Sequence, residues 1–476
     1  MQATIANSSG GNLAQYYNQA DAAFAPFRFE DRQEPIIIAG FHHEWNPNSH
    51  TLLLASRLSD DRSFDNPYGA TFLVGEDSAT GEVLDMLPIV MNQDYRSRLE
   101  IYTAEAQQIW HASRFTTIAG ARYQSGEFRI NSTQINFDGN LADLFFAPVV
   151  QDVSSDFQRM AVYGYEHWQL LDSLRLIGGL SYEHLLLPEN FRFAPVSAAS
   201  DTSDHVLPKA GVIWTPTKST TFRAAYAQSV GGASFDQSFQ LEPAQVAGFN
   251  QSFRSLIPES LAGANTGEKF TSYGIALEHK LPTRTFLALE TTLLQSKVSR
   301  EDGAFILTEL GGPLLGSLTE RMAFREESLA VSAHQLVGRS WAFGGNYRVS
   351  HAELKDNYPE ISDAAGAVNG FIPRKTFSGT LHTLDLHAIY QHPSGFFTRA
   401  DGLWNRQQNG GSLAALNGAD FWQCNILLGY HFARRQATAT VGVLNITDQN
   451  YQLSPINLHN ELPRERTLYA KLSFAF

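Results

Sequence analysis

Apolar and polar residues alternate with a period of two along most of this chain. In 340–351, Trp341, Phe343, Gly345, Tyr347 and Val349 fall on one side, and Ala342, Gly344, Asn346, Arg348 and Ser350 on the other. In 422–432 one side carries Trp422, Cys424, Ile426, Leu428, Tyr430 and Phe432, and 437–443 sets Ala437, Ala439, Val441 and Val443 against Thr438, Thr440 and Gly442. The C-terminus repeats the rule, with Leu468, Ala470, Leu472, Phe474 and Phe476 opposite Thr467, Tyr469, Lys471, Ser473 and Ala475. This period belongs to strands with one apolar face.

The strands come in pairs around tight turns. Segments 36–45 and 50–58 flank Asn46-Pro-Asn-Ser49, and 157–169 and 173–186 flank Leu171-Asp-Ser173. Further pairs are 208–214 with 219–229, 269–280 with 284–297, 322–336 with 340–352, 381–391 with 395–407, and 421–433 with 436–447. Between pairs lie long polar segments, roughly 187–206, 231–267, 301–320, 354–379, 409–420 and 449–465, rich in the Asn, Ser, Gly, Asp and Pro of loops. Residues 68–132 are expected to hold four uneven strands, at 69–75, 83–91, 97–109 and 113–130.

Tight turns at one end and long loops at the other are what a transmembrane barrel needs. A soluble sandwich, the competing reading, has no reason for this asymmetry. In hydrocarbon every backbone group must be paired, so the sheet has to close. The expected fold is therefore an all-β, antiparallel up-and-down transmembrane barrel of about 18–20 strands. Even parity asks for one more strand before 36–45, for which the Phe24–Phe29 region is the candidate. Residues 1–34 are taken as an N-terminal segment, a first strand or the remnant of an upstream domain, and 35–476 as the barrel.

Composition agrees. Of 476 residues 12% are aromatic and only 17% charged, with a net charge of −13, which argues against a nucleic-acid partner. No apolar run is long enough for a membrane helix. The single Cys424 allows no internal disulfide and reads as a small hydrophobe on the lipid side. The first eleven residues have no secretory-signal pattern, so either a signal peptide has been removed and Met1 added or, as expected here, the chain is the C-terminal part of a longer product.

A terminal strand closing on Phe resembles those of bacterial outer-membrane barrels. Val206-Leu-Pro-Lys-Ala-Gly211 leading through Thr215-Pro216 into Arg223-Ala-Ala-Tyr226 resembles the mid-barrel hairpin of TonB-dependent receptors. Gly442-Val-Leu-Asn-Ile-Thr-Asp-Gln-Asn-Tyr451, followed by Arg466-Thr467 and the closing strand, resembles that family's ending, and Leu241-Glu-Pro243 its Leu-x-Pro-Glu segment, with Ala244 replacing Glu. The resemblance covers about 206–300 and 436–476. It implies a 22-strand barrel if complete, a plug domain and an energy-coupling box, yet residues 1–35 match neither plug nor box. A plug or periplasmic domain on another segment or chain is an expected partner, together with outer-membrane lipid and the barrel-assembly machinery, which would read Leu472, Phe474 and Phe476.

Candidate lumen-facing residues are Arg223, Glu290, Arg348, Asp385, His387, Arg399, Asp401, Asn405 and Lys471. Both signs occur, so the lumen is neither a cation nor an anion funnel. The main alternative is that these charges bond one another, water or a plug; a solute path is assigned to Arg348, Asp385, Arg399 and Asp401. Loop residues Phe235, Phe239, Phe249 and Phe253 are candidates to stack on a ligand or to pack as a cap. The carboxylates of 356–363 lack a calcium-loop pattern. His42-His-Glu44 lacks zinc-protease spacing, and neither a nucleophile elbow nor a phosphate loop occurs, so no catalytic, metal or cofactor site is predicted. The expected function is loop capture of a small solute at the cell surface and passage through a polar lumen. The alternatives are a secretion or anchoring module with a missing periplasmic domain, and a plain diffusion porin.

Overall fold

A computed structural model describes residues 1–11, 27–77, 80, 82–136, 148–232, 239–308, 311–412, 418–432 and 436–474. The strands are β1 (Gln2–Gly11), β2 (Arg28–Asn46), β3 (Ser49–Glu76), β4 (Val83–His111), β5 (Phe115–Asn136), β6 (Val149–Leu171) and β7 (Leu174–Pro188). They continue as β8 (Ser200–Thr217), β9 (Thr220–Val230), the two-residue β10 (Gln245–Val246) and β11 (Phe249–Asn250), β12 (Lys269–Lys280) and β13 (Thr285–Thr308). The rest are β14 (Gly311–Val337), β15 (Trp341–Asn357), β16 (Arg374–Gln391), β17 (Phe396–Gly411), β18 (Asp420–His431), β19 (Ala437–Leu444) and β20 (Thr467–Phe474). Two short helices, α1 (Glu259–Ala262) and α2 (Asp363–Val368), lie in loops. Without β10 and β11, which pair only with each other, the strands make one 18-stranded sheet that curls into a barrel.

Each barrel strand is antiparallel to its neighbour in sequence, as short turns require. The alternation sets facing. On β4, Leu99, Ile101, Thr103, Glu105 and Gln107 are buried inward while Arg98, Tyr102, Ala104 and Ala106 are exposed outward. Outward aromatics cluster near the turns (Trp110, Phe115, Trp168, Trp214, Phe286, Trp341, Phe396, Phe432) and again higher up (Tyr102, Tyr123, Tyr182, Tyr273, Trp422), all 38% or more exposed. Two such girdles bracket the hydrocarbon.

The expectation for 68–132 is corrected: β3, β4 and β5 absorb those segments as three long strands. The 301–320 segment is likewise no loop, because β13 and β14 stay paired from Thr285↔Gln335 to Thr308↔Gly311. Residues 68–98 and 301–320 have outer faces that meet water above the membrane, where loop composition and strand pairing coexist. β3, with 28 residues, far exceeds the roughly 9–11 needed to cross. Of the Phe24–Phe29 region expected to supply the strand before 36–45, residues 24–26 lie outside the described residues, and Arg28 and Phe29 belong to β2; the described strand preceding β2 is Gln2–Gly11, paired with it from Gln2↔Ile38 to Gly11↔Arg28. That ladder joins residues 2–11 to the barrel sheet. β20 pairs with β19 from Ala437↔Phe474 to Leu444↔Thr467.

The tall hairpins β3–β4 and β13–β14 rise from opposite sides and meet, with Phe72–Gly75 pairing in parallel with Ala304–Leu307. Val74, Val83, Met86, Ala304, Leu318, Tyr358, Ile361 and Ala365 pack beneath this contact. The extracellular mouth is thereby roofed.

Candidate functional site: the lumen and the loops seated in it

The inner wall is polar, and the chain's own loops occupy much of it. Segment 239–257 enters beside β4–β9. Its Leu241 and Glu242 amides donate to the Glu105 carboxylate at 2.9 and 3.1 Å, and Tyr163 Oη donates to the same group at 2.8 Å. Gln107 Nε2 donates to the Leu241 carbonyl (2.6 Å) and Arg122 Nη1 to Gln240 Oε1 (2.6 Å). Lys209 Nζ lies 3.3 Å from Glu242 Oε1, which also accepts from Tyr165 Oη at 2.7 Å. Glu105, Arg122, Lys209 and Glu242 are all buried, and the Lys209–Glu242 ion pair and the hydrogen bonds to Glu105 and from Arg122 hold the loop where burial would otherwise be costly. At the top, Glu268 accepts from the Leu256 and Ile257 amides (3.2 and 3.3 Å) and from Ser255 Oγ (2.6 Å).

Segment 451–462 enters on the other side. Asn457 Nδ2 donates to the Gly379 carbonyl (3.0 Å) and to Ser350, while its Oδ1 accepts from Gln407 Nε2 (3.1 Å). Gln407 also exchanges hydrogen bonds with the Ser454 backbone. Gly379 permits this approach: a Cβ there would stand 2.7 Å from both Asn457 Oδ1 and Ile456 Cγ2. Glu326, fully buried, accepts from Arg348 Nη2 (2.7 Å) and from the Leu458 amide (3.3 Å).

Between this loop and the wall is a cavity of about 330 Å³. Arg348, Asp385, Asn405, Thr383 and Ser350 line it from β15–β17, and Leu458, His459 and Asn460 from the loop. The structure thus gathers Arg348, Asp385 and Asn405 around one space. Below it, toward the turns, the same inner face continues through His387, opposite Asp401 in the ladder, to the Arg399–Asp401 ion pair (2.7 Å). The other lumen candidates stand apart. Arg223 pairs with Glu278 (2.6 Å) and covers the Phe249 ring; Glu290 is exposed between Ala276 and Ala330; Lys471 is exposed opposite Thr440 on β19.

The placing of two loop aromatics differs from that of surface ligand contacts. Phe249 is buried, seated on Gly274, where a Cβ would lie 2.2 Å from its ring, and Phe253 packs on Phe270 with centroids 5.6 Å apart. Phe239 is half-buried. Phe235 and Phe476 lie outside the described residues. Leu472 and Phe474 are 59% exposed on the outward face of β20.

Glu105, Glu268, Glu326, Gln407 and Asn457 escape a reading of the sequence alone. Inward polar residues on β4 (Thr103, Glu105, Gln107) are a period-two signal, but their partners come from loops far along the chain. The motif residues were closer to hand: Lys209 of Pro208-Lys-Ala-Gly211 and Glu242 of Leu241-Glu-Pro243 meet directly.

In the roof, Arg300 holds Asp302 (3.0 Å) and Glu320, and Tyr358 Oη donates to Asp302 (2.7 Å). Burial, with Asp302 and Asp356 nearby, pushes Glu320 up to about 9, against the pull of Arg300. Under it, burial raises Glu259 but Arg192, Arg254 and Arg62 outweigh this and hold it below the usual carboxylate range. Glu360 accepts from Thr319 and Asp363 pairs with Arg374, so both of these carboxylates have protein partners.

Residues 2–293 match the family described as TonB dependent receptor-like, beta-barrel. Similar solved structures include the ferric yersiniabactin uptake receptor FyuA of Yersinia pestis (12% identity, TM-score 0.56, covering 94% of this chain and 62% of that one). The ferric citrate transporter FecA shows 13% identity, a TM-score of 0.54 and coverage of 94% and 62%. The ferric-catecholate import receptor Fiu of E. coli K12 shows 13% identity, a TM-score of 0.53 and coverage of 94% and 65%. At such identities the likeness is one of fold, and this chain spans under two thirds of the length of each. No curated protein sequence matches the chain. With the match extending over more than half of its residues, the girdled barrel belongs to the TonB-dependent receptor family and resides in the bacterial outer membrane.

Proposed function

We propose that this barrel admits a small polar solute from the cell surface and passes it along the inner face of β15–β17. The observation carrying this reading is the cavity bounded by Arg348, Asp385 and Asn405, which continues into the Arg399–Asp401 row and is closed by a hydrogen-bonded loop. Entry requires 451–462 to withdraw from Asn405, Gln407 and Glu326. The solute's polar groups then replace the loop's at Glu326 and Gln407 and reach Arg348 and Asp385, so no buried charge is left bare. A wall with both signs suits a solute bearing both donors and acceptors. Three similar structures carry names of ferric-complex transport, which makes ferric chelates the first solutes to try. A separate plug or periplasmic partner would set when the loops release.

The test is radiolabelled ferric citrate uptake by outer-membrane vesicles containing the protein, with Arg348→Ala and Asp401→Ala. Each variant should lower flux or shift selectivity, at unchanged barrel content. Flux and selectivity equal to wild type in both would overturn the path.

A further inference from the structure

We infer that the outward face of β12–β14 holds a binding site for the phosphate of an outer-leaflet lipid headgroup. Tyr273, Leu293 and Leu329 are the last outward apolar residues before the first outward charge on these strands. Four residues beyond each, away from the periplasmic turns, stand Lys269, Lys297 and Arg325. That offset raises the cations about 10 Å above the apolar band, with about 3.3 Å per residue and a strand tilt near 40°. This is the height of the headgroups.

The three are neighbours in the sheet. Lys269 and Lys297 are directly opposite one another, and Lys297 opposes Ala323, which places Arg325 diagonally beside it. Like charges directly opposite oppose strand pairing unless something anionic sits between them. Among the described residues Arg325 has Glu327 as its ion partner, whereas no carboxylate lies within ion-pair distance of Lys269 or Lys297. All three side chains are exposed toward the bilayer side of the wall. At the same level on β4 and β5, Arg98 and Arg129 are likewise opposite one another, but each has a carboxylate partner, Asp61 at 3.7 Å and Glu127 at 2.8 Å, which Lys269 and Lys297 lack in a chain whose net charge is −13. A phosphate ester matches it by charge, by the donors of two ammonium groups and a guanidinium, and by level. A headgroup tethered by its acyl chains is delivered at that level, which a free ion is not.

The full chain, purified in a neutral detergent, is presented with lipid A, a phosphorylated glucosamine lipid, and retained lipid is counted by native mass spectrometry. Lys269→Gln/Lys297→Gln should lower retention about thirtyfold, at about fivefold per surface cation. Lys269→Arg/Lys297→Arg should keep it, and heat-modifiable gel mobility verifies that both variants are folded. Dephosphorylated lipid A should be retained no better by wild type than by the glutamine variant. Equal retention of lipid A by wild type and glutamine variant, retention of dephosphorylated lipid A by wild type equal to that of lipid A, or displacement of the lipid by millimolar inorganic phosphate would each overturn the assignment.

Discussion

Glu105→Gln isolates the hydrogen bonding that seats segment 239–257. The substitution keeps volume but turns one carboxylate oxygen into an amide NH₂. Oε1 serves Glu242 N and Tyr163 Oη, so the remaining oxygen is best placed there; the new amide then faces the Leu241 N–H, donor against donor. A bond to a charged acceptor is lost and a buried N–H loses its partner, together about 3 kcal/mol. At 1.4 kcal/mol per decade this shifts the seated-to-withdrawn ratio by a factor of about one hundred. Gln107 and Arg122 still hold the neighbouring residues, so the barrel itself should remain intact. Two assays read the shift. Protease cleavage within 239–257 should accelerate by a comparable factor, because cleavage tracks the opened population when opening is fast. In planar bilayers, baseline conductance should rise as the withdrawn loop clears the lumen. A cleavage rate within threefold of wild type and unchanged conductance, in a protein with normal heat-modifiability, would refute the claim that Glu105 anchors the loop.

Gly379→Ala should loosen segment 451–462 by about 1–3 kcal/mol, since its new methyl meets Asn457 and Ile456 at 2.7 Å; protease cutting near 458 reports it, and no increase would count against the packing. The roof should weaken as pH rises. Glu320 holds its proton in the folded roof up to about 9 but loses it near the ordinary carboxyl value when unfolded, so its contribution is complete below about 4.5 and falls through the interval to about 9. Amide protection factors in β13–β14, which are normalised for the base-catalysed intrinsic rate, should therefore fall between pH 5 and 9, and Glu320→Gln should flatten that slope. Leu468→Arg, six residues up β20 from Phe474 on the lipid face, should impair membrane insertion, at about 2–4 kcal/mol for a cation near the bilayer midplane. The readout is loss of the heat-modifiable band, with Lys471→Arg on the inner face as the tolerated control.

The sequence by itself determined the strands within the membrane, their facing and their short turns. A lipid on one side and a polar interior on the other impose strict alternation, and Trp341 to Val349 or Trp422 to Phe432 display it without any knowledge of partners. The same logic lost its grip above the membrane. There both faces of β3–β4 and β13–β14 meet water or protein, alternation no longer separates strand from loop, and Ser49–Glu76 read as several short pieces. Only the tertiary structure decided what fills the lumen. Glu105 and Leu241 are 136 residues apart, and Asn457 and Ser350 are 107 apart. Such contacts leave no periodic mark, because a buried carboxylate is satisfied by whichever backbone amides the fold brings to it.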